Sequence, residues 1–111
     1  MKLVVALIRP EQLPAVKTSL HEAGFVKLTA TTVMGTAPRT EQRKYRGVEQ
    51  KVNLFRRVRL EVAVTDSDLE RAIQAISDGA HEVGGWGSIF VTELHDMISI
   101  WSGERGPRIL S

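Results

Sequence analysis

Residues 58–64 read VRLEVAV, a segment in which apolar side chains occupy every second position. Alternation with a period of two predicts a β-strand that buries one face. A stripe at helical spacing follows, formed by Leu69, Ala72, Ile73, Ile76 and Ala80. Ser67 and Glu70 are spaced as a capping box at the start of that helix. The segment therefore predicts a strand followed by a helix.

The same order of elements continues on both sides of this pair. Residues 84–87 read GGWG, which predicts a tight turn, and residues 88–94 predict the next strand. In the N-terminal half, the apolar run at residues 2–8 predicts a buried strand. Residues 13–24 carry apolar side chains at helical spacing and end at a glycine, and the Thr- and Val-rich residues 25–34 predict another strand.

The resulting order is βαβ, a long loop, and a second βαβ unit. This order predicts a ferredoxin-like α+β fold, with a four-stranded antiparallel sheet and two helices on one face. The loop, at about residues 36–56, joins the second and third strands, and residues 97–101 predict a short extra strand before a tail at residues 102–111. We expect one domain over residues 1–111, with an exposed sheet face that favours oligomerisation.

The composition is that of an ordinary globular protein: 111 residues, 42% hydrophobic and 25% charged. The absence of cysteine excludes disulfides and thiolate chemistry, and it fits a cytoplasmic location. The N-terminal apolar run is shorter than a signal-peptide core or a membrane span. We therefore expect no membrane association except through a partner.

Positive charge is concentrated between residues 39 and 59, which hold eight basic and two acidic residues in a chain of net charge +2. Such a segment attracts phosphates, nucleic acid, anionic membranes or acidic protein surfaces, and charge alone does not choose among them. A solvated loop kept soluble by its charge is the alternative.

Catalytic and nucleic-acid sites find little support in the sequence. His21, His81 and His95 lack metal-ligand spacing, and no nucleophile motif or phosphate-binding P-loop is present. RNA-binding modules of this fold stack bases on strand aromatics, and only Phe90 lies on a suitable strand. We therefore expect no catalytic residue, no metal and no nucleic-acid partner.

Six segments in order carry a family resemblance. They are VALIRP at 5–10, LTAT at 28–31, YRGVE at 45–49, RVRLEV at 57–62, GSIFV at 87–91 and SGERG at 102–106. Together they resemble the PII nitrogen-regulatory family over essentially the full length. The resemblance implies a homotrimer that binds an adenine nucleotide, ATP, ADP or AMP, in clefts between subunits. It also implies a long loop that docks on a transporter or a metabolic enzyme.

The resemblance assigns three residues to the adenine end of the site. Thr29 corresponds to a threonine that contacts the base, and Glu61 and Ala63 fall where the family reads adenine with strand backbone. A threonine selected for its β-propensity is the alternative interpretation of Thr29.

Five further residues are assigned by the resemblance to the cofactor site. Gly85 and Gly87 match the phosphate-loop glycines, Ser88 follows them, and Arg57 matches a basic residue near the phosphates. Gly35, at the end of the second strand, is grouped with them. A glycine turn without ligand, and a solvated charge at Arg57, are the alternatives.

The chain also departs from the family pattern. The tyrosine that the family modifies falls at Gln50, which excludes uridylylation there, and a glutamine that helps hold magnesium and 2-oxoglutarate falls at Arg39. The family's phosphate-loop lysine is replaced by Ser88 in this chain, and two arginines of the family's tail are replaced by Ser99 and Trp101. Since each charge-assisted contact is worth roughly 1.5–3 kcal/mol, we expect weaker ATP binding relative to ADP and AMP.

Arg105 and Arg108 are near enough in sequence to compensate for these losses. The preferred interpretation is a regulator that senses an adenine nucleotide or another small anion and signals through its basic loop. The alternative is a ligand-free interaction module whose basic loop binds an acidic protein or a membrane surface. A small enzyme is a third, weaker interpretation.

Overall fold

A computed structural model describes residues 1–36 and 53–110. The strands are β1 (Lys2–Ile8), β2 (Thr29–Thr36), β3 (Leu54–Val64) and β4 (Ser88–Glu93), and the helices are α1 (Leu13–Glu22) and α2 (Leu69–His81). The strands form one sheet in the order β2-β3-β1-β4, with every neighbouring pair antiparallel. The predicted ferredoxin-like α+β fold is confirmed.

The alternation in residues 58–64 separates the two faces of the sheet. The even-numbered residues are between 1% and 6% exposed and belong to the core, together with Val16 and Leu20 of α1 and Ile76 of α2. The odd-numbered residues point to the opposite face because successive strand side chains alternate. We call this opposite face the open face.

The strand register extends the open face across all four strands. Thr29 of β2 pairs with Glu61 of β3, Glu61 pairs with Val5 of β1, and Val5 pairs with Phe90 of β4. A second row, two residues along, contains Ser88 opposite Leu7. In these two rows the face combines polar groups on β2 and β3, apolar groups on β1, and one group of each kind on β4.

Three local predictions were wrong. The second strand begins at Thr29, because the chain first buries Phe25, which is 8% exposed. The predicted capping box at the start of α2 is absent: the cap residue is Asp68, and the hydroxyl of Ser67 lies 3.2 Å from that of Thr65. The extra strand is reduced to one bridge between Ile98 and Arg105.

The predicted loop at about residues 36–56 is shorter at both ends. Thr36 pairs with Leu54, so the β2–β3 ladder includes the edges of the predicted range. The rest of that prediction falls on residues 37–52, which lie outside the described residues. Within the described parts of the chain, no helix combines the length and apolar character needed to cross a membrane.

Candidate functional site

A groove of about 470 Å³ opens beside the β2–β3–β1 side of the open face. It is lined by Leu3, Val26, Lys27, Leu28, Thr29, Glu61, Ala63, Met97 and Leu110. The three residues predicted to contact adenine, Thr29, Glu61 and Ala63, are thus brought together, because Thr29 pairs with Glu61 across the ladder. The groove offers one hydroxyl, one carboxylate and the Lys27 ammonium among mostly apolar walls, a composition suited to a planar polar ring.

The carboxylate of Glu61 has a partner on its own strand. Its Oε1 lies 3.5 Å from Nε of Arg59, and both side chains are partly exposed. Residues two apart on a strand share a face, which explains the pair. This ion pair draws the Glu61 carboxylate along the strand, while Glu61 still lines the groove.

The glycine turn, residues 84–87, connects α2 to β4. Gly84, Gly85 and Gly87 have φ angles of +81°, +66° and +137°, which side chains with a Cβ rarely adopt. A Cβ on Gly87 would lie only 2.8 Å from the carbonyl oxygen of Leu7, so close packing against β1 also requires glycine. The N–H of Gly85 donates to the carbonyl of Ala80 at 2.8 Å and so caps the helix.

An indole between two guanidinium groups lies at the end of β3 nearest the glycine turn. The Arg57 guanidinium lies 4.5 Å from the centroid of the Trp86 ring, and the Arg9 guanidinium lies 5.3 Å from it. Arg57 also lies 5.4 Å from the ring of Phe55 and is only 7% exposed. The alternative of a solvated charge at Arg57 is therefore wrong.

Gly35 and Ser88 lie on either side of this cluster. Gly35 pairs with Phe55, and a Cβ on Gly35 would lie 3.5 Å from Cγ of Arg57, an ordinary contact. Ser88 is exposed on the edge strand β4, opposite Leu7. Gly35, Arg57 and Ser88 therefore border the same end of the open face.

The residues predicted to contact adenine and those predicted to lie near the phosphates are separated within one chain. Arg57 and Glu61 are four residues apart on β3, about 13 Å along an extended strand. Thr29 and Ser88 lie on the two edge strands, with β3 and β1 between them. One chain therefore does not bring Ser88 or the glycine turn to the groove.

Two functional candidates were missed by sequence reasoning. Arg9 stacks on Trp86, and the fully buried Gln12 donates from Nε2 to the carbonyl oxygens of Val83 and Trp86 at 3.0 and 2.8 Å. Gln12, two residues after Pro10, carries no local signal for burial, since its partners lie 71 and 74 residues away.

The C-terminal positions that differ from the family lie on a hairpin, residues 97–106. Its strands are joined by hydrogen bonds from the N–H of Ser99 to Glu104 at 2.9 Å and from that of Gly106 to Met97 at 2.9 Å. Trp101, at its tip, is 97% exposed. The tip thus projects away from its own chain.

Arg105 and Arg108 do not supply the missing phosphate charges as the chain stands. Arg105 Nε donates to Oδ2 of Asp96 at 3.0 Å, and Arg108 Nε lies 3.5 Å from Glu104. The Arg105 guanidinium, together with the Met97 N–H, holds the pKa of the Asp96 carboxyl below its ordinary value. Either arginine would therefore share its donors between a carboxylate and any phosphate that it contacts.

No metal centre supplements these groups in residues 1–36 and 53–110, where no three histidine, aspartate or glutamate side chains assemble around a common point. His81 illustrates why: its Nδ1 lies 2.7 Å from the Ser77 carbonyl oxygen on its own helix. It therefore belongs to the end of α2.

Comparisons with known proteins agree with this arrangement. A sequence model of the family described as "Nitrogen regulatory protein P-II" matches residues 1–104. The chain is 40% identical to nitrogen regulatory protein GlnK1 of Methanosarcina mazei, covering 99% of this chain and 97% of the relative. It is 40% identical to nitrogen regulatory protein P-II of Azospirillum brasilense, covering 96% of each.

A third relative, nitrogen regulatory protein GlnK2 of Haloferax mediterranei, is 38% identical and covers 96% of this chain and 88% of its own length. Family match, identity and coverage all extend across both βαβ units. The chain therefore belongs to the P-II nitrogen regulatory protein family.

Proposed function

We propose that this chain is a regulator that binds an adenine nucleotide on its open face and controls a transporter or metabolic enzyme through the basic loop that joins β2 and β3. The observation that carries the proposal is the groove in which strand pairing assembles Thr29, Glu61 and Ala63. Arg57 and the glycine turn follow on the same side of the sheet and supply cationic and close-approach positions for a phosphate.

The functional unit in this proposal is a homotrimer of one-domain subunits, residues 1–111. Large apolar side chains exposed in one chain support it: Phe90 is 50% exposed, Ile100 101% and Trp101 97%. Exposed apolar groups of this size are typical of surfaces that another subunit or a partner covers. The separation of Thr29 from Ser88 adds a reason, because a cleft between copies brings one copy's glycine turn to another's groove. Light scattering tests this, and a monomer at all concentrations contradicts it.

The ligand is tested first by calorimetry on the unmodified protein with ATP, ADP and AMP. Thr29→Val removes one hydroxyl without changing the shape of the side chain, and we expect about a five- to tenfold rise in Kd for all three nucleotides. Thr31→Val is the matched control, since Thr31 lies on the same face of β2 but outside the groove. Equal losses in both variants contradict a specific contact with the base.

The phosphate end is tested by restoring charge. Ser88→Lys combined with Trp101→Arg returns two cations to positions at which the family resemblance places them. ATP affinity should then rise more than AMP affinity, because each added phosphate brings charge that needs donors. Equal gains for ATP and AMP indicate that these positions do not face the phosphates.

A second function, an interaction module without a ligand, is favoured by the basic segment at residues 39–59. It predicts no binding heat with any nucleotide but salt-sensitive binding to an acidic partner. In either case we place the protein in the cytoplasm, assign it no catalytic or nucleic-acid role, and expect membrane contact only through its partner.

A further inference from the structure

Gln12 is a neutral polar side chain that is fully buried. Its Oε1 accepts the N–H of Arg9 at 2.8 Å, and its Nε2 lies 2.8 Å from the carbonyl oxygen of Trp86, 3.0 Å from that of Val83 and 3.3 Å from that of Ala80. A buried amide is stable only when its groups are hydrogen-bonded, and this amide is engaged on both sides.

The amide of Gln12 occupies the place of a ladder hydrogen bond. Leu7 pairs with Ser88 in the β1–β4 ladder, so continued pairing would place Arg9 opposite Trp86. Instead Gln12 accepts from Arg9 and donates to Trp86, so its side-chain amide bridges the end where the two strands separate. The same group therefore fixes the backbone on both sides of the stacked Arg9 and Trp86 side chains.

Peptide planarity extends this effect to the glycine turn. In a trans peptide the N–H points opposite to the carbonyl of the same unit, and the structure contains no cis peptide among its described residues. Holding the Trp86 carbonyl towards Gln12 directs the N–H of Gly87 away from Gln12, and holding the Val83 carbonyl does the same for Gly84. Glycine peptides rotate readily, so these two units need such a restraint.

We propose that Gln12 is the positioning residue of the phosphate end: it prevents rotation of the Val83–Gly84 and Trp86–Gly87 peptides and keeps their N–H groups directed towards a bound phosphate. Gly87 directly precedes β4, an edge strand, so an N–H directed away from Gln12 faces outwards from the sheet. This inference rests on the proposed nucleotide site, and it adds a residue that acts on the ligand only through the turn.

Three substitutions at one position test the idea by calorimetry with ATP and adenosine. Gln12→Leu removes the donors, and we expect ATP affinity to fall about tenfold, the effect of one charge-assisted hydrogen bond, while adenosine affinity stays the same. Gln12→Glu places a carboxylate against carbonyl oxygens and should weaken ATP further. Gln12→Lys keeps donors for the three carbonyls but cannot accept the Arg9 N–H, and it should therefore lose less ATP affinity than Gln12→Leu.

Leu20→Ala is the control for general destabilisation, because Leu20 is fully buried in the core near the end of α1 remote from Gln12. It should leave the ratio of ATP to adenosine affinity unchanged. If Gln12→Leu weakens ATP and adenosine equally, or if Leu20→Ala reproduces its effect, the positioning role is overturned.

A second readout does not depend on nucleotide binding. The chain has two tryptophans, so a Trp101→Phe background reports on Trp86 alone. In that background Gln12→Leu should increase acrylamide quenching of Trp86 about twofold, whereas Gln12→Lys and Leu20→Ala should not. Unchanged quenching in Gln12→Leu overturns the proposal even if the unmodified protein binds no nucleotide, an outcome that by itself refutes only the proposed function.

Discussion

The contact between the two helices predicts that Gly79→Ala destabilises the folded protein, whereas helix propensity alone predicts that it stabilises it. Gly79 lies in α2 and is buried against α1. Alanine in place of a helical glycine normally stabilises by about 1 kcal/mol. A Cβ at Gly79, however, would lie 2.6 Å from Cα of Val16, 2.8 Å from the carbonyl oxygen of Ala15 and 2.9 Å from the Val16 nitrogen.

All three atoms belong to the α1 backbone, so no side-chain rotation relieves the contact. Carbon atoms prefer separations of about 3.5–4.0 Å, and the helices must therefore move apart by roughly 1 Å. Overpacking typically costs about 1–3 kcal/mol, and three contacts with backbone atoms place this substitution in the upper part of that range, about 2–3 kcal/mol. After subtraction of the propensity gain, we expect Gly79→Ala to destabilise by about 1–2 kcal/mol, or about 4–8 °C in Tm for a chain of this size.

Urea unfolding followed by far-UV circular dichroism measures this difference. Ser77→Ala is the matched control on the same helix, because it gains propensity without approaching α1, and it should be neutral or slightly stabilising. Both variants are compared at one protomer concentration, since association stabilises the folded state. If Gly79→Ala raises stability by about 1 kcal/mol, the close approach of the two helices is refuted.

Three further predictions concern the Arg57–Trp86 contact, the glycine turn and the C-terminal hairpin. A double-mutant cycle of Trp86→Leu and Arg57→Met should give a coupling of about 1 kcal/mol, and zero coupling rejects the stacking. Gly87→Ala should destabilise by about 2 kcal/mol or more, through a positive φ and a clash with β1, as measured by urea unfolding. Arg105 lowers the folded-state pKa of Asp96, so the Asp96–Arg105 ion pair stabilises the folded protein above about pH 4, and this stabilisation is lost as pH falls through the folded pKa. The difference in stability between wild type and Asp96→Asn should therefore shrink in acid.

The sequence was sufficient for the order of the strands because each has a local signal, an apolar run, a Thr- and Val-rich segment or an alternating pattern, between turn residues. The alternation in residues 58–64 predicted which side chains enter the core, and the structure places the even-numbered ones there. The predicted capping box failed for a local reason: residues Asp66–Asp68 form a 3-10 turn, which moves the start of α2 beyond Ser67. Residue spacing cannot distinguish these two N-terminal geometries.

The candidate site was predictable only where it depends on strand register or on family resemblance. Thr29 and Glu61 are paired by the β2–β3 ladder, so a correct strand prediction places them together. Gln12 and Arg9 were missed because their partners in the glycine turn are more than 70 residues away and become neighbours only when the sheet and α2 are packed. A buried amide has no sequence pattern of its own.

Arg57 is the cation whose orientation at the proposed phosphate end is most strongly set by the fold. A guanidinium over an indole uses its flat face, while its N–H groups lie in the plane. In Arg57 the Nη1 group donates to the Arg56 carbonyl at 2.9 Å and the side chain is only 7% exposed, so an anion can approach this guanidinium from few directions. Arg105 and Arg108, by contrast, are largely exposed and use part of their donors on Asp96 and Glu104. On the proposed function, the site then favours a compact anion held beside Arg57 over a triphosphate whose outer charges extend beyond it.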